Sequence, residues 1–186
     1  MPEPQATLPV LVVVLGQLIG QFSKEVRPEL KAVTSEYGQI ISVPHELRIV
    51  APGWDLVVTG TRFSSVGFED GKVEGVEVNP HLEYLSLKEA AKLVDQLETK
   101  FRSYGFQPRP DRNINGEQLR AKQADILKES SYNSEVYRSR RSNVMCSLVL
   151  TKSVLKDSPL GQIANAKSDL FMLKLTVRNI KTGDRF

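Results

Sequence analysis

The stretch from Val57 to Phe106 constrains the fold of this chain more than any other, because it joins a tight-turn signal to a capped helix. Leading into it, Trp54, Leu56 and Val58 alternate with Asp55, Val57 and Thr59, the period-two pattern of a half-buried strand. Phe63, Val66 and Phe68 carry the apolar content past Gly60. Glu69-Asp70-Gly71-Lys72 follows, and Asp-Gly suits the positive φ angles of a two-residue hairpin turn. Val73 to Val78 then reads as the returning strand, and Asn79-Pro80 ends it. Strict alternation would put Glu74, Val76 and Val78 on one face, and Val73, Gly75 and Glu77 on the other.

Ser86-Leu87-Lys88-Glu89 is a capping box, in which the serine hydroxyl accepts from the amide three residues on and the glutamate reaches back to the cap amide. Leu87, Ala90, Ala91, Val94, Leu97, Phe101 and Tyr104 recur at three- and four-residue steps, with Lys88, Lys92, Asp95, Glu98 and Arg102 on the opposite side. Gly105 stands where a left-handed cap ends such a helix. The expected fold class is α+β: an antiparallel sheet with a central β-hairpin, followed by an amphipathic helix packed on one face.

Ahead of this stretch, Leu8 to Phe22 is uncharged and predominantly apolar. Fifteen helical residues span about 22 Å, short of the roughly 30 Å of bilayer hydrocarbon. The residues before it lack the basic start of a signal peptide, and Lys24, Arg27 and Lys31 follow it directly. The readings for residues 1–23 are a buried helix or strand of the domain, a membrane or interfacial anchor, or the remnant of a signal, with Gly16 and Gly20 as a weak helix-packing motif. Residues 24–186 are then expected to form a single α+β domain. Val26, Leu30 and Val33 continue at helical spacing, and Ile40–Val43 and Leu47–Val50 are short β-prone pieces bounded by Pro44 and Pro52-Gly53. Beyond the central stretch, a second helix from Asn115 to about Lys128, strands at Val144–Lys152 and Asp169–Asn179, and a loop at Leu155–Ala166 are expected.

A chain of 186 residues with 40% apolar and 25% charged residues can bury a real core. Its single cysteine, Cys146, excludes an internal disulfide, and the apolar run V-M-C-S-L-V-L favours a buried thiol over a reactive one. Residues 1–99 hold 8 Lys/Arg and 14 Asp/Glu, a net of −6, whereas residues 100–186 hold 17 and 8, a net of +9. The densest basic run, Arg138, Arg140 and Arg141 beside Tyr132 and Tyr137, is too short for the basic stripe that nucleic-acid binding favours.

Chemistry-bearing patterns are few. His45 and His81 lie far apart, and neither has a second ligand at metal-binding spacing. No G-x-S-x-G, phosphate loop or calcium loop occurs, so no cofactor, metal or catalytic residue is assigned. Glu69, Asp70, Glu74, Glu77 and Glu83, with Lys72 among them, form the one concentrated charged cluster. Turn chemistry and a solvated sheet face account for it without a partner. The sharper reading makes Glu69, Asp70, Lys72, Glu74, Glu77 and Glu83 a docking surface for a basic protein, because complementary charge raises the association rate.

The order of strand, D-G turn, V-x-G-V-x-V strand, Y-L-S-L-K-E-A helix start and aromatic-Gly-aromatic helix end, over about Val66 to Phe106, resembles small bacterial α+β immunity-type proteins that accompany secreted antibacterial toxins. The resemblance implies toxin neutralisation by occlusion with no catalytic residues of its own, and a membrane-associated or periplasmic place in the cell envelope. The cytoplasm is not ruled out by the flanks of the apolar segment. The expected function is therefore non-enzymatic protein binding. The alternative is a structural or assembly subunit of a bacterial envelope or secretion machine, with the apolar amino-terminal helix as its interface.

Overall fold

Val10–Val14 is a strand, β1, and not the start of a helix. The computed structural model describes residues 7–108, 131–139, 143–153 and 170–180. The apolar segment is neither one helix nor one strand: it divides at Gly16, whose φ of 83° breaks the run, into β1 and the short helix α1 (Ile19–Glu25). The physical reason lies in V-L-V-V-V, whose β-branched side chains fit a pleated surface better than a helix. Leu11 and Val13 are buried on one face of β1, and Phe22 is buried beneath α1. Residues 8–22 are thus part of a folded unit, and no described helix is long and apolar enough to cross a membrane.

The chain forms two units, Met1–Leu82 and Glu83–Phe186. In the first, a short 3-10 turn (Pro28–Leu30) leads into β2 (Val33–Ser35), β3 (Gly38–Ile41), β4 (His45–Ala51), β5 (Trp54–Thr61), β6 (Phe63–Glu69) and β7 (Lys72–Asn79). The helix expected to continue through Val33 is replaced by this 3-10 turn and β2, with Pro28 at the turn's first position. One sheet has the order β1-β4-β5, with β1 parallel to β4 and β5 antiparallel to it. The other strands follow the order β2-β3-β6-β7, all antiparallel. β5 passes into β6 across Arg62, so one continuous run of chain changes sheets there, a common way to turn a corner between sheets.

The core of this unit draws on both sheets. Leu11, Val13, Leu47, Ile49, Leu56 and Val58 come from the first, and Ile41, Val66, Val76 and Val78 from the second, all at most 4% exposed. Each such side chain contributes about 1.5–3 kcal/mol of burial relative to exposure. The β6–β7 register slips between Gly67 and Phe68, since Gly67 faces Gly75 whereas Phe68 faces Val73. Glu74 is the extra residue of this bulge. The slip corrects the strict alternation expected for β7: Val73 is buried with Val76 and Val78, and Glu74 is only half-buried.

In the second unit, α2 (Leu87–Ser103) carries the complete Ser86–Glu89 capping box, and Gly105 beyond its end has a φ of 82°. Leu87, Ala90, Ala91, Val94, Leu97 and Phe101 are buried along it, and it lies against β11 (Leu170–Asn179). The strands β8 (Gln107–Pro108), β9 (Ser131–Ser139) and β10 (Val144–Ser153) complete the order β11-β10-β9-β8, all antiparallel. Phe171, Leu173, Leu175 and Val177 of β11 alternate buried with half-buried Met172, Lys174, Thr176 and Arg178. With two α-helices and predominantly antiparallel strands among the described residues, the chain is α+β. The helix expected at 115–128 and the loop at 155–166 lie outside the described residues, as do Arg140 and Arg141.

Candidate functional site

The charged cluster is spread over several kinds of position. Glu69 and Lys72 face each other across the ends of β6 and β7, and between them Asp70 and Gly71 take φ angles of 49° and 74°. This is the local chemistry an Asp-Gly turn performs wherever strands reverse tightly. The turn is also tied down from outside, since Ile19 donates its amide to the Gly71 carbonyl at 3.0 Å. Gly16 donates to the Val73 carbonyl, and Val73 donates back to the Gln17 carbonyl, both at 2.8 Å. Glu69, Asp70 and Lys72 are exposed, and Glu74 at the bulge is half-buried. The structure gathers these four at one end of the hairpin. Glu77 stands further along β7 opposite Ser65, and Glu83 belongs to the second unit.

A second surface of the first unit carries the opposite chemistry. Val33 and Ile40 are direct cross-strand partners, 69% and 45% exposed, and Tyr37 in the connecting turn is 76% exposed. All of β2 is exposed, and it stands at the end of its strand order, beside β3 alone among the described strands. Beneath this corner, buried Gln39 donates from Nε2 to the Thr34 hydroxyl at 2.9 Å. Phe68 donates its amide to the Tyr37 carbonyl at 3.0 Å, which fixes the turn to β6. The Glu36 carboxylate, hydrogen-bonded to the phenol, raises Tyr37 above its usual range.

Gly38 sets how closely the corner sits on the sheet. A Cβ placed there would stand 2.3 Å from the Val66 carbonyl oxygen, so only glycine lets β3 approach β6 at this point. Sequence periodicity groups Val33 with Val26 and Leu30 as a helical stripe, and so misses its exposure. The signal that could reveal it is V-T-S-E-Y-G-Q-I, a short alternation around a Tyr-Gly turn.

His45 and Cys146 are both held in the interior. His45 has no exposed surface. Its Nδ1 is 2.7 Å from the Val43 carbonyl, which can only accept, so the ring proton sits on Nδ1. With the ring neutral, Nε2 accepts from the Ser64 hydroxyl at 2.8 Å. Burial lowers the His45 pKa, and the hydrogen bond to Val43 opposes this. The donor–acceptor order is that of a serine activated by a histidine, but both side chains are completely buried and no substrate reaches them in this conformation. His81 is half-buried. Cys146 is fully buried on β10, and desolvation pushes its thiol well above the ordinary value, which keeps it protonated. Among the described residues, no group of three or more His, Cys, Asp or Glu side chains is arranged to hold a metal.

No protein-family model, no curated protein and no solved structure matches this chain.

Proposed function

We propose that the protein is a non-enzymatic binding module that recognises another protein and acts by covering part of it, in the manner of an immunity or inhibitor protein. The observation that carries this reading is the Val33–Tyr37–Ile40 corner, where two large aliphatic side chains and an aromatic one are held in solvent on an edge hairpin. A few anchors, tyrosine prominent among them, supply most of the energy at protein interfaces, and contiguous exposed apolar patches mark interaction sites. Charge supplies the second support. Residues 1–82 contain 6 Lys/Arg and 10 Asp/Glu, a net of −4, against 19 and 12, a net of +7, in residues 83–186. A basic partner is therefore steered toward the first unit, with Glu69, Asp70 and Glu74 as charges that raise the encounter rate. A bacterial toxin or another basic envelope protein fits this description.

The assembly-subunit alternative loses its motivating feature. Residues 8–22 contribute β1 and α1 to the first unit, with Leu11, Val13 and Phe22 buried, so they do not form a free apolar helix.

The test is capture of a partner from source-cell extract by the full chain, compared with the Tyr37→Ser/Ile40→Ser double variant at matched thermal midpoint. The proposal expects a protein recovered by the unmodified chain in low and moderate salt and lost with the variant. Recovery of no partner under either salt condition, or equal recovery by both chains, overturns it.

A further inference from the structure

His45 joins the two sheets of the first unit from a position with no exposed surface. It belongs to β4, whereas Ser64, its partner at Nε2, belongs to β6. Val43, its partner at Nδ1, lies in the connection from β3 to β4. Ser64 is itself the cross-strand partner of Ile41 on β3. One imidazole therefore fastens three pieces of backbone: β4, the β3–β4 connection, and the β3–β6 pair.

We propose that His45 is a proton-operated latch, which holds β4 and the β3–β4 connection against β6 while its ring is neutral and releases them when the ring gains its second proton. The argument rests on donors and acceptors. In the neutral ring each nitrogen has the partner it needs, one a carbonyl and the other a hydroxyl donor. Protonation turns Nε2 into a donor, so Ser64 must swing its own proton elsewhere. Thr61, the cross-strand partner of His45, is buried too, and its hydroxyl has no hydrogen-bond partner among the described residues. An unpaired buried polar proton and a buried cation both favour opening to water.

The hydrogen-bond partners of the ring are the Val43 carbonyl and the Ser64 hydroxyl of β6, and the cross-strand partner of His45 on β5 is Thr61; none of the three is ionisable. The ionisable residues nearest in sequence to these groups are Glu46, half-buried at the next position of β4, Arg48, exposed on the same strand, and Arg62, exposed between Thr61 and Ser64. Because burial lowers the folded-state pKa from the ordinary 6.5, the latch is fully closed above 6.5 and weakens as pH falls below it. The loss levels off once pH drops under the folded-state value. In that window opening takes up one proton, so the opening equilibrium rises about tenfold for each pH unit. Because β3 carries the exposed corner, acid release would also loosen the surface proposed for partner binding, although the latch itself does not depend on any partner.

The experiment is amide hydrogen exchange on the full chain between pH 7.5 and 4.5, corrected for the intrinsic pH dependence of exchange. Amides of β3, β4 and β6 are expected to lose protection about tenfold per pH unit below 6.5. The His45→Gln chain is expected to show a flat profile over the same range, and His81→Gln, which changes the one other histidine, to behave as the unmodified chain. Ring resonances of the unmodified chain give a second reading that needs no variant to fold: His45 in the Nδ1–H form, with a midpoint below that of unfolded histidine. The latch is overturned if protection on these strands does not change with pH, if the slope survives in His45→Gln, or if the His45 ring titrates at an ordinary midpoint.

Discussion

In the β2–β3 hairpin the large hydrophobic side chains Val33, Tyr37 and Ile40 reach solvent beside the exposed Thr34, Ser35 and Glu36, whereas at the β6–β7 turn the exposed side chains are Glu69, Asp70 and Lys72. Both hairpins belong to the same unit and the same run of strands. The β6–β7 turn is explained by its own mechanics, since Asp70 and Gly71 adopt the required positive φ angles and the chain between Gly16 and Ile19 bonds to it on one side. The β2–β3 corner has no such internal account. Burying Val33 and Ile40 would stabilise the fold, yet both are held outside. Side chains that cost solubility and return no folding energy are better evidence of a partner than charges that a turn and a solvated surface would carry anyway.

Four substitutions probe this contrast, and the largest effect belongs to Gly38. A Cβ 2.3 Å from the Val66 carbonyl oxygen meets backbone on a rigid central strand, so β3 must move away from β6. Gly38→Ala is expected to destabilise the first unit by about 2–3 kcal/mol, in the range of overpacked interiors, measured by chemical denaturation. It should also abolish partner capture, because the corner loses its seat. A variant of unchanged stability would mean that the hairpin floats free of the sheet, and the comparison would fail.

Gly71→Ala comes next. A φ of 74° places it in the left-handed region, where an L side chain costs roughly 1–2 kcal/mol, and nothing else within 4 Å would obstruct the new methyl group. The loss should therefore be purely conformational and leave capture by the β2–β3 corner intact. If capture fails while the fold survives, the β6–β7 turn is part of the binding surface.

Local chemistry was what the sequence displayed. Ser86 and Glu89 are three residues apart and form their capping box without help from the rest of the chain, and Gly105 follows from the same helix end. The remainder depends on pairings over long separations. The β-branched run Val10–Val14 favours a strand locally, but its partner His45–Ala51, parallel beside it, lies more than thirty positions away, and an apolar run alone does not separate a buried strand from a buried helix. The bulge at Glu74 needs the opposing Gly67–Phe68 step, so alternation along β7 alone put Val73 on the wrong face. His45 and Ser64 are 19 residues apart, with no spacing rule to link them. The exposure of Val33 follows only from its pairing with Ile40. Of the candidate site, the charges were legible as charges, but which surface lacks an internal explanation was not.

Ile40→Ser separates folding from recognition. Ile40 is 45% exposed, so its loss should leave stability within about 0.5 kcal/mol. Removing an interface anchor typically costs more than 1 kcal/mol of binding. A tenfold or greater loss of affinity at unchanged unfolding midpoint is the expected pattern, read by titration calorimetry once a partner is isolated. A matched fall in both quantities would make Ile40 a folding residue and take away the main support for the corner as a binding surface.

The smallest effect is expected from Asp70→Asn, and it is the cleanest discriminator between the hairpins. Asparagine tolerates the φ of 49° as well as aspartate does, and Asn-Gly is the strongest dipeptide for this turn, so folding should change by less than about 0.5 kcal/mol. What changes is one exposed negative charge. If the β6–β7 turn only steers a basic partner, association slows by a few-fold in low salt, the difference disappears at high salt, and dissociation stays the same. Stopped-flow association at two ionic strengths reads this directly. A slower approach that salt erases leaves the apolar corner as the surface that holds the partner. A faster dissociation that salt does not erase would put Asp70 in contact with it, and the two hairpins would then be halves of one binding face.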